Sequence, residues 1–328
     1  MTASPSTSNG SRGRAGKTGA PALTFTVPTA QRVEARRRAG LRSARDGWSF
    51  VGPATLIILG LSIFPAIWAF ILSLQKWDGF SDPAFVGTAN YERLVTDDQF
   101  FDAISHTGLY TILFVPMSVL GGLFLAVALN RNIRLIGLYR TAIFVPFVAS
   151  AAATGILSTY LFNPQYGIVN NVLRLLGLPQ QGWLEDPDQA MVVIAIMSLW
   201  GQAAFTTVIY LAALQDIPGE LLEAARIDGA NRWQAFWQVV WPQLSPVTVF
   251  VTIWQVIGAI QLFDLVYTTT RGGPLDSTKT IVYFLWERAF RGLEFGYGSA
   301  VAYALFAITL AITLFVVVYA RRRNLEAF

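Results

Sequence analysis

Cysteine is absent from all 328 residues. That rules out disulfides, thiolate nucleophiles and cysteine-held zinc. Histidine occurs once, at His106, and neither a nucleophile paired with a base nor a metal-ligand spacing surrounds it. Charge is scarce as well: 13% of residues are Asp, Glu, Lys or Arg and 54% are apolar, whereas soluble domains carry about 25% charged residues. A chain so poor in charge is embedded in a membrane. Its net charge of +4 and pI of 9.4 would suit a nucleic-acid binder, but the placement of the basic residues gives another reason for them.

Met1 to Asp46 is rich in Ser, Gly, Ala and Thr and holds nine Lys/Arg against two acids. Low hydrophobicity and high charge of this kind give a disordered tail, residues 1–46. Within it Gly16-Lys17-Thr18 has the ending of a phosphate-binding loop. The first glycine of that motif would fall at position 11, where Ser11 stands, and no strand leads into it, so the chain carries no nucleotide site of its own.

Residues 47–328 form one membrane domain. Six apolar runs, approximately Trp48 to Leu74, Thr107 to Asn130, Thr141 to Phe162, Met191 to Leu214, Leu244 to Tyr267 and Ser299 to Ala320, each match the roughly 20 helical residues that cross a hydrocarbon core. The predicted fold class is all-α with six transmembrane helices. Asp264 is the single charge within these runs. With the N-terminus inside, 17 of the 24 Lys/Arg fall in inner segments and 7 in outer loops. This is the positive-inside distribution, and it places both termini in the cytoplasm. The pI therefore reflects topology and contact with anionic lipid, and is no argument for nucleic acid. His106 falls at a span boundary and reads as a solvated interface residue.

Leu214 to Pro242 stands apart as a polar stretch, with the loop itself at 215–243, and has helical signals of its own. Pro218 suits the first helical position, and Glu220 and Glu223 put negative charge in the opening turns. Gly229 stops this helix. Asn231 with Gln234 then reads as a capping box opening a second helix, which runs into Pro242. The small residues Ala224, Ala225, Gly229 and Ala230 lie beside the charged Glu223, Arg226 and Asp228, giving a low-profile face suited to docking or, alternatively, to lying on the membrane surface.

The pattern E-A-A-x-x-D-G-A, carried by Glu223, Ala224, Ala225, Asp228, Gly229 and Ala230 and followed by Phe236 and Pro242, resembles the cytoplasmic signature loop of permease subunits in binding-protein-dependent ABC importers. The resemblance implies a type I ABC importer permease fold, with this loop as the coupling helix that sits in a cleft of an ATPase subunit. FNPQYGIVNNVL from Phe162, WLEDP from Trp183, TRGGP from Thr270 and FGYGSA from Phe295 resemble the sugar-transporting class of that family. It further implies a second, similar permease subunit, two ATPase subunits that carry ATP and Mg, and an extracytoplasmic solute-binding protein. This chain would then be a transport subunit rather than an enzyme, in the cytoplasmic (inner) membrane.

Polar and aromatic residues at membrane depth are the candidates for a solute path, because an unpaired polar group there lines a cavity or joins helices. On the fourth span Trp200, Gln202 and Phe205 cluster midway. On the fifth, Gln255, Gly258 and Leu262 share one helical face, with Gln261 and Asp264 toward the outer end. Aromatic faces beside carboxamides suit sugars. The competing assignment makes Gln202, Gln255 and Gln261 interhelical ties, and pairs Asp264 with Arg271 or Lys279. Between Phe162 and Asp188 a short amphipathic helix is predicted over Ile168 to Leu176, ended by Gly177. The alternative class is an ion- or proton-coupled secondary carrier, which would want more intramembrane ionisable residues and internal repeats than this chain shows.

Topology is directly testable. Reporter fusions after Arg140, Asn231 and Arg323 are expected in the cytoplasm, and fusions near Asp97, Glu185 and Asp276 outside. A cytoplasmic signal at Asp276 contradicts the six-span arrangement.

Overall fold

Runs of apolar residues with few helix breakers satisfy their own backbone as helices, and the computed structural model is built almost wholly of them. It describes residues 47–131 and 134–322; the basic tail with Gly16-Lys17-Thr18, and Arg323 with the residues after it, lie outside. The described residues fall into two units, one ending at Phe64 and the other beginning at Pro65. In order, the described elements are α1 (Gly47–Ser73), which starts in the first unit, β1 (Gln75–Lys76), β2 (Ala84–Phe85), α2 (Ala89–Leu94), α3 (Asp98–Leu129), α4 (Ile136–Val148), α5 (Ala151–Leu161) and α6 (Ile168–Leu175). There follow α7 (Pro187–Asp216), α8 (Gly219–Ile227), α9 (Arg232–Ala235), α10 (Trp241–Ile260), α11 (Asp264–Thr268), α12 (Ile281–Trp286) and α13 (Phe295–Arg322).

By length and composition α1, α3, α7, the stretch Arg232–Thr268 and α13 are long and apolar enough to cross a membrane, and α4 with α5 makes a sixth crossing if the bent pair is one span. The third crossing is thus not the continuous helix expected over Thr141 to Phe162. It is broken at Ala149-Ser150 and bent by 101°. Ala149 has extended backbone, and the Ser150 side chain restarts the helix by accepting from the Ala153 N–H at 3.2 Å. A serine cap competes with helix continuation by offering an orphan N–H a partner. The second crossing also departs from expectation: α3 starts at Asp98, nine residues before Thr107, because Asp97 caps it by accepting from the Gln99 N–H.

Proline does not end the helix at Pro242 as expected. Helix passes through it by way of a π turn over Phe236–Val240, in which the Trp241 N–H reaches the Phe236 carbonyl. The same device stands before Pro65, where a π turn over Leu59–Ile63 brings the Phe64 N–H to Leu59. A widened turn relieves the crowding that a proline ring imposes on the carbonyl four residues back. The amphipathic α6 forms as expected, ending one residue early at Leu175, with Gly177 at φ +71° in the left-handed region.

The core of the second unit is α3 packed on α7. Buried residues on α3 fall at Phe100, Ala103, Thr107, Tyr110, Phe114, Ser118, Gly122, Ala126 and Leu129, with Val115 beside Phe114, and their three-or-four spacing keeps them on one face. Gly122 is where the helices come closest: a Cβ there would overlap the Thr206 side chain of α7. Small residues at such crossings let backbones approach where the hydrophobic effect gives little drive. His106 is half-buried, with an Nδ1 that is shut from solvent and unpartnered. His106 is thus partly packed rather than fully solvated, because α3 begins early enough to carry it there.

One end of the unit is held by polar contacts. Tyr297 donates to Asp97 at 2.7 Å, and Arg93 grips Glu294 with both nitrogens at 2.8 and 3.1 Å while lying 4.1 Å over the Tyr297 ring. Hydrogen bonding to Glu294 raises the Arg93 pKa above its ordinary value, against its partial burial. Beside them, α13 meets the end of α1 at Gly296, where a Cβ would fall on the Gln75 carbonyl oxygen. Gly296→Ala is expected to destabilise by about 1–3 kcal/mol, the usual cost of overpacking. Gly60→Ala, with open space around it, should be neutral or stabilising. Thermal unfolding of the two purified variants checks this, and equal melting would remove the close approach from the account.

Candidate functional site

Two features concentrate the chemistry of the second unit. The first is a cavity of about 260 Å³ whose walls come from α3, the α4–α5 break, α7 and the end of α10. Both helix breaks contribute: Ala149 and Ala151 from one, Gln261, Leu262 and Phe263 from the other. The second break is pinned by Thr280, whose hydroxyl donates to the Leu262 carbonyl at 2.8 Å. Close packing holds the far side, since a Cβ on Gly155 of α5 would overlap Thr268 of α11.

Of the residues singled out in the sequence, Gln202, Gln255, Gly258, Gln261, Leu262 and Asp264 line this cavity. Trp200 and Phe205 do not. Trp200 is 42% exposed outside the lining, and Phe205 stacks on Trp254 at 5.2 Å. Trp200, two positions from Gln202 on α7, faces away from it by the helical period of about 3.6 residues, whereas Phe205, three positions on and so near the same face, is drawn aside onto Trp254. Sequence reasoning missed Tyr110 and Phe114, stacked 5.3 Å apart with planes 7° from parallel, which form an aromatic wall on α3. It also missed Thr154 at the broken span. The Ser150 cap was the signal that pointed to that break.

Gln255 has a structural role as well. It is 3% exposed, and its Nε2 donates to Ser118 on α3 and to Thr206 on α7, the latter at 2.7 Å. One carboxamide in the cavity wall so ties three helices together. Asp264 does not pair as expected. Lys279 is taken by Glu287 at 2.9 Å and Asp276 at 3.1 Å, and Asp264 has no ion pair among the described residues. Burial works against the Lys279 ammonium, but the two carboxylates outweigh it and raise its pKa. They are nearer in the chain and in space, which leaves Asp264 facing the cavity.

The second feature is the loop between α7 and α10. Pro218 proves to be the residue before α8 rather than its first, a shift of one position. Gly229 takes φ +83°, which only glycine adopts without strain. Around it Asp228, Gly229 and Ala230 donate to Ala224, Arg226 and Ala225 at 3.0, 3.1 and 2.9 Å, closing the end of α8 in a Schellman-type turn. The capping box between Asn231 and Gln234 is present in both directions at 2.9 Å. Ala224, Ala225, Asp228, Gly229 and Ala230 line a cleft of about 390 Å³ between the two helices. Glu223 is exposed on α8 outside that lining.

Residues 118–326 match the model of the family described as binding-protein-dependent transport system inner membrane component. The chain belongs to this family. It is an inner-membrane subunit of a transporter that works with a solute-binding protein, and it is not an enzyme. It is 38% identical over 285 residues to the lactose transport system permease protein LacF of Rhizobium radiobacter, covering 85% of this chain and 95% of that one. It is 32% identical over 267 residues to the sn-glycerol-3-phosphate transport system permease protein UgpA of Agrobacterium fabrum, covering 81% and 91%. The fold resembles a chain of a bacterial alginate ABC transporter crystallised with an alginate-bound periplasmic protein, at a TM-score of 0.79 and 20% identity over 88% of this chain and 99% of that chain.

In this transport subunit the Gln255 node makes a quantitative claim. Gln255→Leu removes two interhelical hydrogen bonds, each worth about 0.6 kcal/mol in a membrane protein. Ser118 and Thr206, already hydrogen-bonded to each other at 3.2 Å, keep that bond. The expected loss is about 1 kcal/mol in thermal unfolding of the purified complex, with assembly retained. A larger loss would mean that the node holds more than these two bonds.

Proposed function

We propose that this chain is a permease subunit of an ATP-driven importer and carries a sugar, of di- or oligosaccharide size, across the cytoplasmic membrane by alternating access. The observation that carries the reading is the cavity built at two helix breaks, with carboxamides and a carboxylate set against aromatic faces. Sugar C–H faces stack on rings such as Tyr110 and Phe114, and hydroxyls need donors and acceptors such as Gln202, Gln261 and Asp264. LacF is named for a sugar, which supports the class of solute, while UgpA is named for a phosphorylated polyol.

In this reading both termini are cytoplasmic and the α8–Gly229–α9 corner faces an ATPase subunit. A second permease subunit completes the path, two ATPase copies hold ATP and Mg, and a binding protein delivers the solute from outside. Glu223, Ala224, Ala225, Asp228, Gly229 and Ala230 make the docking surface. From Arg232 to Ile260 helical structure is continuous through the π turn at Phe236–Val240, so displacement of the corner is transmitted along it to Gln255 and the cavity wall.

A docked Glu223 is a partly desolvated charge. Truncating one partner of a buried pair costs about 2–5 kcal/mol, and each 1.4 kcal/mol is about tenfold in affinity. Glu223→Lys and Gly229→Leu are therefore expected to insert normally but to lose ATP-dependent uptake and co-purification of the ATPase. A solvated connector would make Glu223→Lys nearly silent, since exposed charges contribute about 0–1 kcal/mol. Normal ATPase retention in both variants, or uptake by proteoliposomes that follows a proton gradient instead of internal ATP, overturns the proposal.

A further inference from the structure

Asp264 is the one charged side chain among the residues that line the cavity. The other polar groups of the wall are neutral amides and hydroxyls, Gln202, Gln255, Gln261, Thr154 and Ser198 among them. Among the described residues no cation pairs with the carboxylate: Lys279, the buried base nearest in sequence after Arg271, is spent on Glu287 and Asp276, and Arg271 is exposed and outside the lining. The Asp264 side chain is exposed, and the backbone that carries it is held in place. Leu262, two residues before it, is fixed by Thr280, and Thr268, four residues after it, hydrogen-bonds back to the Asp264 carbonyl at 2.7 Å and packs on Gly155.

From this arrangement we infer that the cavity selects by charge: Asp264 makes the path one for uncharged saccharides and rejects sugar phosphates, sulfonates and uronates. This rests on the cavity being the solute path, and it goes further by fixing the class of solute. A carboxylate accepts hydrogen bonds from sugar hydroxyls and donates none, so it rewards neutral polyols. For a solute with an anion within a few ångströms of it, repulsion in a site between water and protein in polarity is on the order of 10-fold or more in affinity. Relatives with comparable identity are named for neutral and for anionic solutes alike, so overall similarity does not choose between them. The charge lining the cavity does.

The absence of cysteine gives a direct probe. Gln202→Cys puts a unique thiol of this chain on the exposed part of the wall, and its modification can be followed by mass in the assembled transporter. A cationic trimethylammonium methanethiosulfonate and an anionic sulfonatoethyl methanethiosulfonate are compared, each rate taken relative to a free thiol in solution. The expected result is a preference for the cationic reagent of roughly 10-fold or more, which disappears when Asp264→Asn is added. Asparagine keeps the shape and an acceptor, so altered packing does not mimic the effect. Labelling with no charge preference, or with a preference that survives Asp264→Asn, overturns charge selection and leaves the path reading standing. Absence of labelling by either reagent, with and without ATP and loaded binding protein, overturns the path reading and the selection with it.

Discussion

Backbone N–H and C=O groups at membrane depth have no water to bond to, and every departure from helix must find them partners inside the protein or beside a cavity. The second unit departs from helix twice within its crossings, at Ala149-Ser150 and at Gln261 to Phe263. Each departure is supplied with partners. Ser150 accepts from Ala153, Ala149 donates to Pro146, Gln261 and Leu262 donate to Ile257 and Ala259, and Thr280 donates to the Leu262 carbonyl. Both departures also border the same cavity. The cavity is thus the place where the constraint is met, and its polar character follows from the breaks that form it.

The surrounding helices keep this arrangement by close approach and by a small number of polar ties. Gly122 against Thr206 and Gly155 against Thr268 leave no room for a Cβ, so these crossings move as units or not at all. Gln255 joins α3, α7 and α10 through one amide. Under the proposed coupling, the stretch from Arg232 onward carries motion from the Gly229 corner to that amide, and the π turn before Pro242 is the point in the lever where the hydrogen-bond ladder is already loosened.

Much of this was legible in the sequence because local rules act there without competition. Gly229, Asn231 with Gln234, and Gly177 did what glycine in the left-handed region and a capping box do anywhere. The apolar runs locate the crossings, but α3 is extended by an aspartate cap, the fifth crossing starts at Arg232, well before Leu244, and the third is broken. What was not legible depended on partners remote in the chain. Nothing local marks Tyr110 as a cavity wall, or tells which face of α7 carries Gln202 and which Trp200. Pro146 lies inside α4 without ending it, and the reorientation comes at Ser150 four residues later. The pairing of Asp264 with Lys279 failed because Asp276 and Glu287 reach that lysine first. The basic tail lies outside the described residues.

Hydrogen–deuterium exchange of the assembled transporter in lipid nanodiscs tests the central claim most directly. If the two helix breaks border a water-filled cavity, amides over Ala149 to Ala151 and Gln261 to Phe263 should exchange far faster than the neighbouring α7 amides from Met191 to Met197, which lie in the packed core. Protection at both breaks equal to that of the α7 core would contradict the account.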